Sequence, residues 1–249
     1  MKWNRGTLGE GTAFTPDRID LSRHVNDPEQ AAQVLRQQRA IYEDLMDDDI
    51  TPVNDPERFV RLGVWFYGAM AIVAVLWRVG GYGEPIWAPT IAGATEVVTP
   101  WPLLHSVGAG AGLASLAIGT SWLISEYSGW GRKVATRLAA QLPPISVADA
   151  LLLAFASGLA EEMFFRGALQ PRAGLVVASV LFGVLHMPSE RALWPWTGFA
   201  LAMGFVLGWL FEVSGSLVGP VVAHTLINGV NLPLLARRYR SLEGAERED

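Results

Sequence analysis

Three short patterns in the second half of the chain carry side chains that do chemistry: Glu161-Glu162-Met163-Phe164-Phe165-Arg166, Phe182-Gly183-Val184-Leu185-His186 and His224-Thr225-Leu226-Ile227-Asn228. All three lie in strongly apolar stretches. There an ionisable side chain at a helix centre costs about 2.5–3.5 kcal/mol on insertion scales, so each needs a reason to be present. Helical spacing separates their roles. Glu162 and Arg166 are four apart, share a face and can pair. Glu161 is rotated by about 100° from its neighbour and is left without a local partner, so it is suited to take up and release a proton. Phe182 and His186 are also four apart, so the ring can pack beneath the imidazole. His224 and Asn228 share a face of the last helix and offer an imidazole N–H and an amide N–H₂ toward one point, as a developing oxyanion requires. A Glu–Arg pair by itself also suits a packing clamp, and a lone buried His is ordinary. Glu161, His186, His224 and Asn228 on three different helices are harder to explain as packing, because each bears a desolvation cost.

The elements that must position these residues are membrane helices. The chain has 249 residues, 51% hydrophobic and only 17% charged, against about a quarter charged in a soluble domain. The shortage is local. Residues 1–60 hold 7 Lys+Arg and 12 Asp+Glu, so the whole net charge of −5 lies there. Residues 62–236 hold 15 charged residues in 175, too few to solvate a globular surface. At about 20 residues per crossing, six apolar segments are expected: about 61–79, 101–124, 147–169, 173–188, 196–213 and 216–236. The expected fold is an all-α polytopic bundle of about six transmembrane helices, a membrane domain over 61–240, preceded by a polar acidic region over 1–60. That region holds one amphipathic helix at about 28–47, starting at Asp27-Pro28. Residues 134–142 are expected along the interface. Gly108/Gly112 and Gly204/Gly208 have the four-residue spacing of close helix packing.

Zero cysteines exclude disulfides, thiol catalysis and Cys-based metal sites. An acidic chain without a basic stripe argues against nucleic acid. Residues 1–51 contain no apolar h-region, so no cleavable signal peptide is expected.

Taken together and in this order, Glu-Glu-x-x-x-Arg, Phe-x-x-x-His and His-x-x-x-Asn resemble the three motifs of the CPBP family, the CAAX-processing and bacteriocin-processing membrane proteases. The resemblance covers about residues 147–236. It implies a glutamic-type intramembrane endopeptidase with no metal and no cofactor. Glu161 and His186 would activate a water, His224 and Asn228 would hold the oxyanion, and Glu162, Arg166 and Phe182 would support the site. The implied partners are a membrane-associated protein or peptide substrate and the lipid bilayer. Two other readings stay open: a non-catalytic scaffold or immunity protein of the same family, and a metal-dependent protease using Glu161, His186 and His224 as three ligands. A proton-coupled transporter is disfavoured because no internal repeat is visible.

Arg58, Arg61, Arg132, Lys133, Arg137, Arg237, Arg238 and Arg240 all fall on one side of a six-pass layout, so the positive-inside rule predicts a multi-pass cell-membrane protein with both termini cytoplasmic. Counting inward from the opposite face at 1.5 Å per residue puts Glu161 at about 14 Å, His186 at about 20 Å and His224 at about 12 Å. This count predicts a site nearer the outer leaflet.

Overall fold

The computed structural model describes residues 55–88 and 100–246. The amphipathic helix expected at about 28–47 lies outside the described residues. Among the described residues the structure is all helical, and the chain is a multi-pass membrane protein. Asp55 and Pro56 start α1 (Pro56–Val75), the Asp55 carboxylate accepting from the Arg58 N–H at 2.9 Å. This is an ordinary N-cap followed by Pro at the first helical position, so the first helix begins five residues before the expected 61. A π-helical turn, Leu76–Gly80, ends it.

The second helix, α2 (Leu103–Tyr127), gives way at Ser128 to a short surface helix, α3 (Gly129–Ala140). The interfacial helix expected over 134–142 therefore starts earlier, because the Ser128 hydroxyl caps the Gly131 N–H at 3.1 Å. A capping box, Ser146 with Asp149, starts α4 (Val147–Glu162). That helix runs on through a π-helical turn, Met163–Leu169, into α5 (Gln170–Leu185). A 3₁₀ turn, Arg191–Leu193, leads into α6 (Trp194–Ser214), and α7 (Val218–Glu246) closes the described chain.

Five of these runs are long and apolar enough to cross a membrane, and the third is the 39-residue run Val147–Leu185. It is bent double. Gly174 has φ +80° and ψ 165°, a conformation that L side chains rarely adopt. Glu161 and His186 are 25 residues apart, about 37 Å along a straight helix, yet their side chains approach to 3.6 Å. The chain therefore reverses at Gly174, giving the six legs expected. The return leg after Gly174 rises only about 18 Å over its 12 residues to His186, against a hydrocarbon core of about 30 Å. The loop that follows meets the surface helix α3 through the Arg137–Glu190 ion pair.

Packing follows the small residues. A Cβ on Gly204 would meet the Ser179 backbone at 3.0 Å, and one on Gly208 would meet Leu175 at 2.5 Å, so α5 and α6 lie in close antiparallel contact. A Cβ on Gly110 would stand 2.4 Å from the Gly219 carbonyl, joining α2 to α7. The expectation for Gly108/Gly112 is not met, since open space surrounds both; Gly110, between them, makes the contact instead. Gly158 completes the set, as its Cβ would be 2.5 Å from Thr225 Oγ1, so α4 and α7 touch at backbone level.

At the end of the bundle away from α3, Arg78 and Arg172 share Glu84. Arg78 Nη1 lies 2.7 Å from the carboxylate and Arg172 pairs with it too, while the Arg172 guanidinium lies 3.7 Å from the Tyr82 ring centre. Arg172, in the first turn of α5, thus has its charge met within the protein.

Candidate active site

Glu161 and Glu162 end α4 side by side and face different partners. Glu162 is fully buried. Its Oε1 accepts from Arg166 Nη1 at 2.9 Å and lies 2.7 Å from His224 Nδ1. Arg166, also buried, spends Nη2 on the Gly204 carbonyl at 3.1 Å and lays its guanidinium 4.5 Å from the Phe182 ring centre. One carboxylate thus ties α4, the π-helical turn and α7 together, and the arginine adds α5 and α6. Single π-helical turns inside α-helices are frequent at functional sites. The i,i+4 pair expected from spacing is present. The His224 contact was not expected, because it joins residues 62 apart.

The hydrogen bonds constrain both imidazoles. His186 Nδ1 lies 2.8 Å from the Phe182 carbonyl. A carbonyl only accepts, so Nδ1 carries the proton and Nε2 of the neutral ring presents its lone pair. That Nε2 is 3.6 Å from Glu161 Oε2. The Phe182 ring lies under the imidazole at 4.4 Å and 33°, Trp196 meets its edge at 5.4 Å, and Thr197 Oγ1 donates to the His186 carbonyl at 3.1 Å. His224 has its Nδ1 on the Glu162 carboxylate and its Nε2 4.0 Å from Glu161 Oε2. With Nδ1–H donated to an ionised Glu162, Nε2 can donate only from the imidazolium form.

Glu161 is therefore approached by two Nε2 atoms from two other helices. It is 7% exposed, and its Oε2 has no hydrogen-bond partner among the described residues. Tyr67, from α1, meets the same carboxylate. Asn228, one turn beyond His224 on α7, donates from Nδ2 to Ser157 Oγ at 3.0 Å. All seven residues singled out in the sequence thus sit in one neighbourhood. Tyr67, Trp196 and Ser157 were missed. Ser157, one turn before Glu161 on the same face, carried a usable signal; Tyr67 and Trp196 carried none, being aromatics among many in apolar segments.

Glu161, His186, His224 and Asn228 line a cavity of about 1840 Å³. Its walls are largely apolar, with Phe66, Trp122, Trp196 and Phe199 among them, and it reaches Asp55, Glu126, Gln141 and Arg238. Asp55, Glu126 and Gln141 lie at the ends of α1, α2 and α3, and Arg238 lies where the apolar part of α7 ends. The count of rise gave the depth of the three side chains; the lining gives the side on which the space beside them opens. Counting rise along each helix ignores which side chains wall the cavity, and the cavity extends toward the face bearing Arg58, Arg132, Lys133 and Arg238. Among the described residues no group of three or more His, Asp or Glu side chains is arranged to hold a metal ion.

Residues 143–230 match the family model described as "Type II CAAX prenyl endopeptidase Rce1-like". The CPBP resemblance holds over this core. The matched core takes in every residue of the three motifs, α4 to the middle of α7, and excludes α1–α3. A second similarity runs to a curated protein of Bacillus subtilis (strain 168), printed as "Uncharacterized protein YpbD", 44% identical over 82 residues, which are 32% of this chain and 40% of that relative. The chain thus spans well under two thirds of the length of the curated relative it matches. No solved structure matches. The similarity to an Rce1-like endopeptidase domain on a multi-pass membrane bundle supports a membrane-protease kind of function.

Proposed function

We propose that the chain is an intramembrane glutamic-type endopeptidase that hydrolyses a peptide bond in a membrane-associated protein or peptide. Residues 147–236 are its catalytic core within a membrane domain at 61–240, and residues 1–60 form a separate polar region. The observation that carries this reading is the Glu161 carboxylate, buried in a cavity wall with His186 Nε2 at 3.6 Å.

That separation exceeds a direct hydrogen bond and suits a water held by both groups. In this reading Glu161 takes one proton as the water oxygen attacks the substrate carbonyl carbon. The carbonyl oxygen becomes an oxyanion held by the Asn228 amide and by His224 as imidazolium, whose positive charge lies between two glutamates. The proton on Glu161 then passes to the amide nitrogen as the C–N bond breaks, leaving a carboxylic acid and an amine. Glu162 and Arg166 fix the His224 ring, and Phe182 supports His186 from below. Charge development in a site walled by apolar side chains is where fixed donors are worth most.

With the positively charged loops inside, both termini and the mouth of the cavity face the cytoplasm. A substrate would then enter from the cytoplasmic side or laterally from that leaflet.

The test uses the full chain purified in detergent and an internally quenched peptide ending in an S-farnesylated Cys-aliphatic-aliphatic-Met sequence. Hydrolysis that survives a chelator and is lost in Glu161→Gln supports the proposal. Hydrolysis abolished by chelator and restored by zinc would favour the metal-dependent reading. A cellular phenotype that Glu161→Gln leaves intact would make the chain a binder.

A further inference from the structure

Helices α4 and α7 run antiparallel, with Gly158 against Thr225 at their closest approach. Two polar contacts bracket that point. Glu162 reaches His224 at 2.7 Å on one side, and Asn228 reaches Ser157 at 3.0 Å on the other. The register explains both, because Ser157 precedes Glu162 by five residues and Asn228 follows His224 by four, about one turn in opposite chain directions. Ser157 is 3% exposed, and its Oγ donates to the Ala154 carbonyl at 3.2 Å.

We propose that Ser157 is a positioning residue that sets which edge of the Asn228 amide faces the substrate. This rests on the role given above to Asn228. A hydroxyl has one proton and two lone pairs. With its proton committed to the Ala154 carbonyl, Ser157 Oγ presents only acceptor capacity toward α7. It therefore selects the N–H₂ edge of Asn228 and rejects the amide oxygen. That bond takes one amide N–H and leaves the second for an oxyanion in the cavity that Asn228 lines. Without it, the two amide orientations differ little in energy, and one of them turns Oδ1 toward developing negative charge, which is repulsive. The serine thus makes no contact with the reacting atoms, yet it keeps the donor a donor.

The quenched farnesylated peptide and the full chain serve as the assay. Ser157→Ala is expected to lower kcat about tenfold with KM unchanged, about the worth of one hydrogen bond and less than loss of an oxyanion donor. Ser157→Thr, which keeps a hydroxyl able to bond back to the preceding turn, is expected to recover most of that loss. In an Asn228→Ala background the Ser157→Ala change should cost nothing further, since its only target is gone. A second readout needs no turnover. With ¹⁵N-labelled asparagine, the side-chain N–H₂ pair absent from Asn228→Asp should be protected from exchange in the wild type and lose that protection in Ser157→Ala. Wild-type kcat in Ser157→Ala, multiplicative losses in the double variant, or an unchanged Asn228 signal would each overturn the positioning role. Full activity in Glu161→Gln would instead sink the hydrolytic mechanism, leaving the amide signal to decide for or against Ser157.

Discussion

Among the described residues, Glu84 and Glu162 each hold an arginine together with a second cationic group, and only Glu162 neighbours the candidate site. Glu84 holds Arg78 and Arg172 at one end of the bundle, and Glu162 holds Arg166 and His224 in its interior. Burial separates them, since the Glu84 side chain is 25% exposed and that of Glu162 is not exposed at all. Function separates them further. The Glu84 cluster fastens the segment after α1, as Arg78 also donates to the carbonyls of Pro85 and Ala88. The Glu162 cluster fastens a histidine whose other nitrogen faces an acid with an unbonded oxygen. A buried ion pair therefore does not mark a site by itself. What sets this one apart is the second carboxylate next door, Glu161, which lines the cavity and is approached by two imidazoles.

The comparison makes graded predictions. The largest effect is expected from Glu162→Gln, which strands Arg166 and unseats His224. Breaking a buried pair costs about 3–5 kcal/mol, so both the amount of folded protein and its turnover should collapse, whereas Glu161→Gln should lose turnover at wild-type thermal stability. Equal melting temperatures for the two variants would erase the distinction between supporting and reacting glutamate. Next comes Asn228→Ala, expected to lower kcat by about 10²–10³-fold with little change in KM; a value within a few-fold of wild type would reduce Asn228 to a packing residue. Gly174→Ala should destabilise by about 1–3 kcal/mol, the cost of holding an ordinary residue in a sparsely populated backbone region, read as a lowered midpoint in a detergent unfolding assay. The smallest effect belongs to Glu84→Gln. It should lower stability by less than Glu162→Gln does and leave kcat per folded molecule unchanged. A dead but folded Glu84→Gln would mean that the two clusters are coupled.

What the sequence made legible was local. Glu162 with Arg166 and Phe182 with His186 were readable because four-residue spacing fixes a shared face whatever the tertiary fold. Glu161 stood out for want of a partner at that spacing. The contacts that complete the site were not readable, because His224 with Glu162 and Asn228 with Ser157 depend on the antiparallel register of two helices far apart in sequence. Gly158 sets that register, and nothing in its neighbours says so. The direction in which the cavity opens was not readable for a related reason. Rise per residue locates a side chain along its own helix but says nothing of the helix ends that wall the space beside it, here Asp55, Glu126 and Arg238. The six legs were foreseen, and the hairpin that makes two of them from one apolar run was visible only as a short fourth segment.

That hairpin has a consequence for how the molecule is made. Glu161 stands 13 residues before Gly174 and His186 stands 12 after it, so the acid and its nearest histidine enter the bilayer as the two arms of one insertion unit. Glu162 travels in the same unit with Arg166 already at hand, which lowers the cost of carrying both charges into lipid. His224 and Asn228 are not yet synthesised at that moment. They come with the last membrane helix, after the two arms have closed. During biogenesis the chain therefore passes through a stage in which Glu161 is already in the membrane with His186 beside it but without His224 and Asn228, the two residues proposed to hold the oxyanion. On the proposed reading, the site is completed only when the final helix packs along α4.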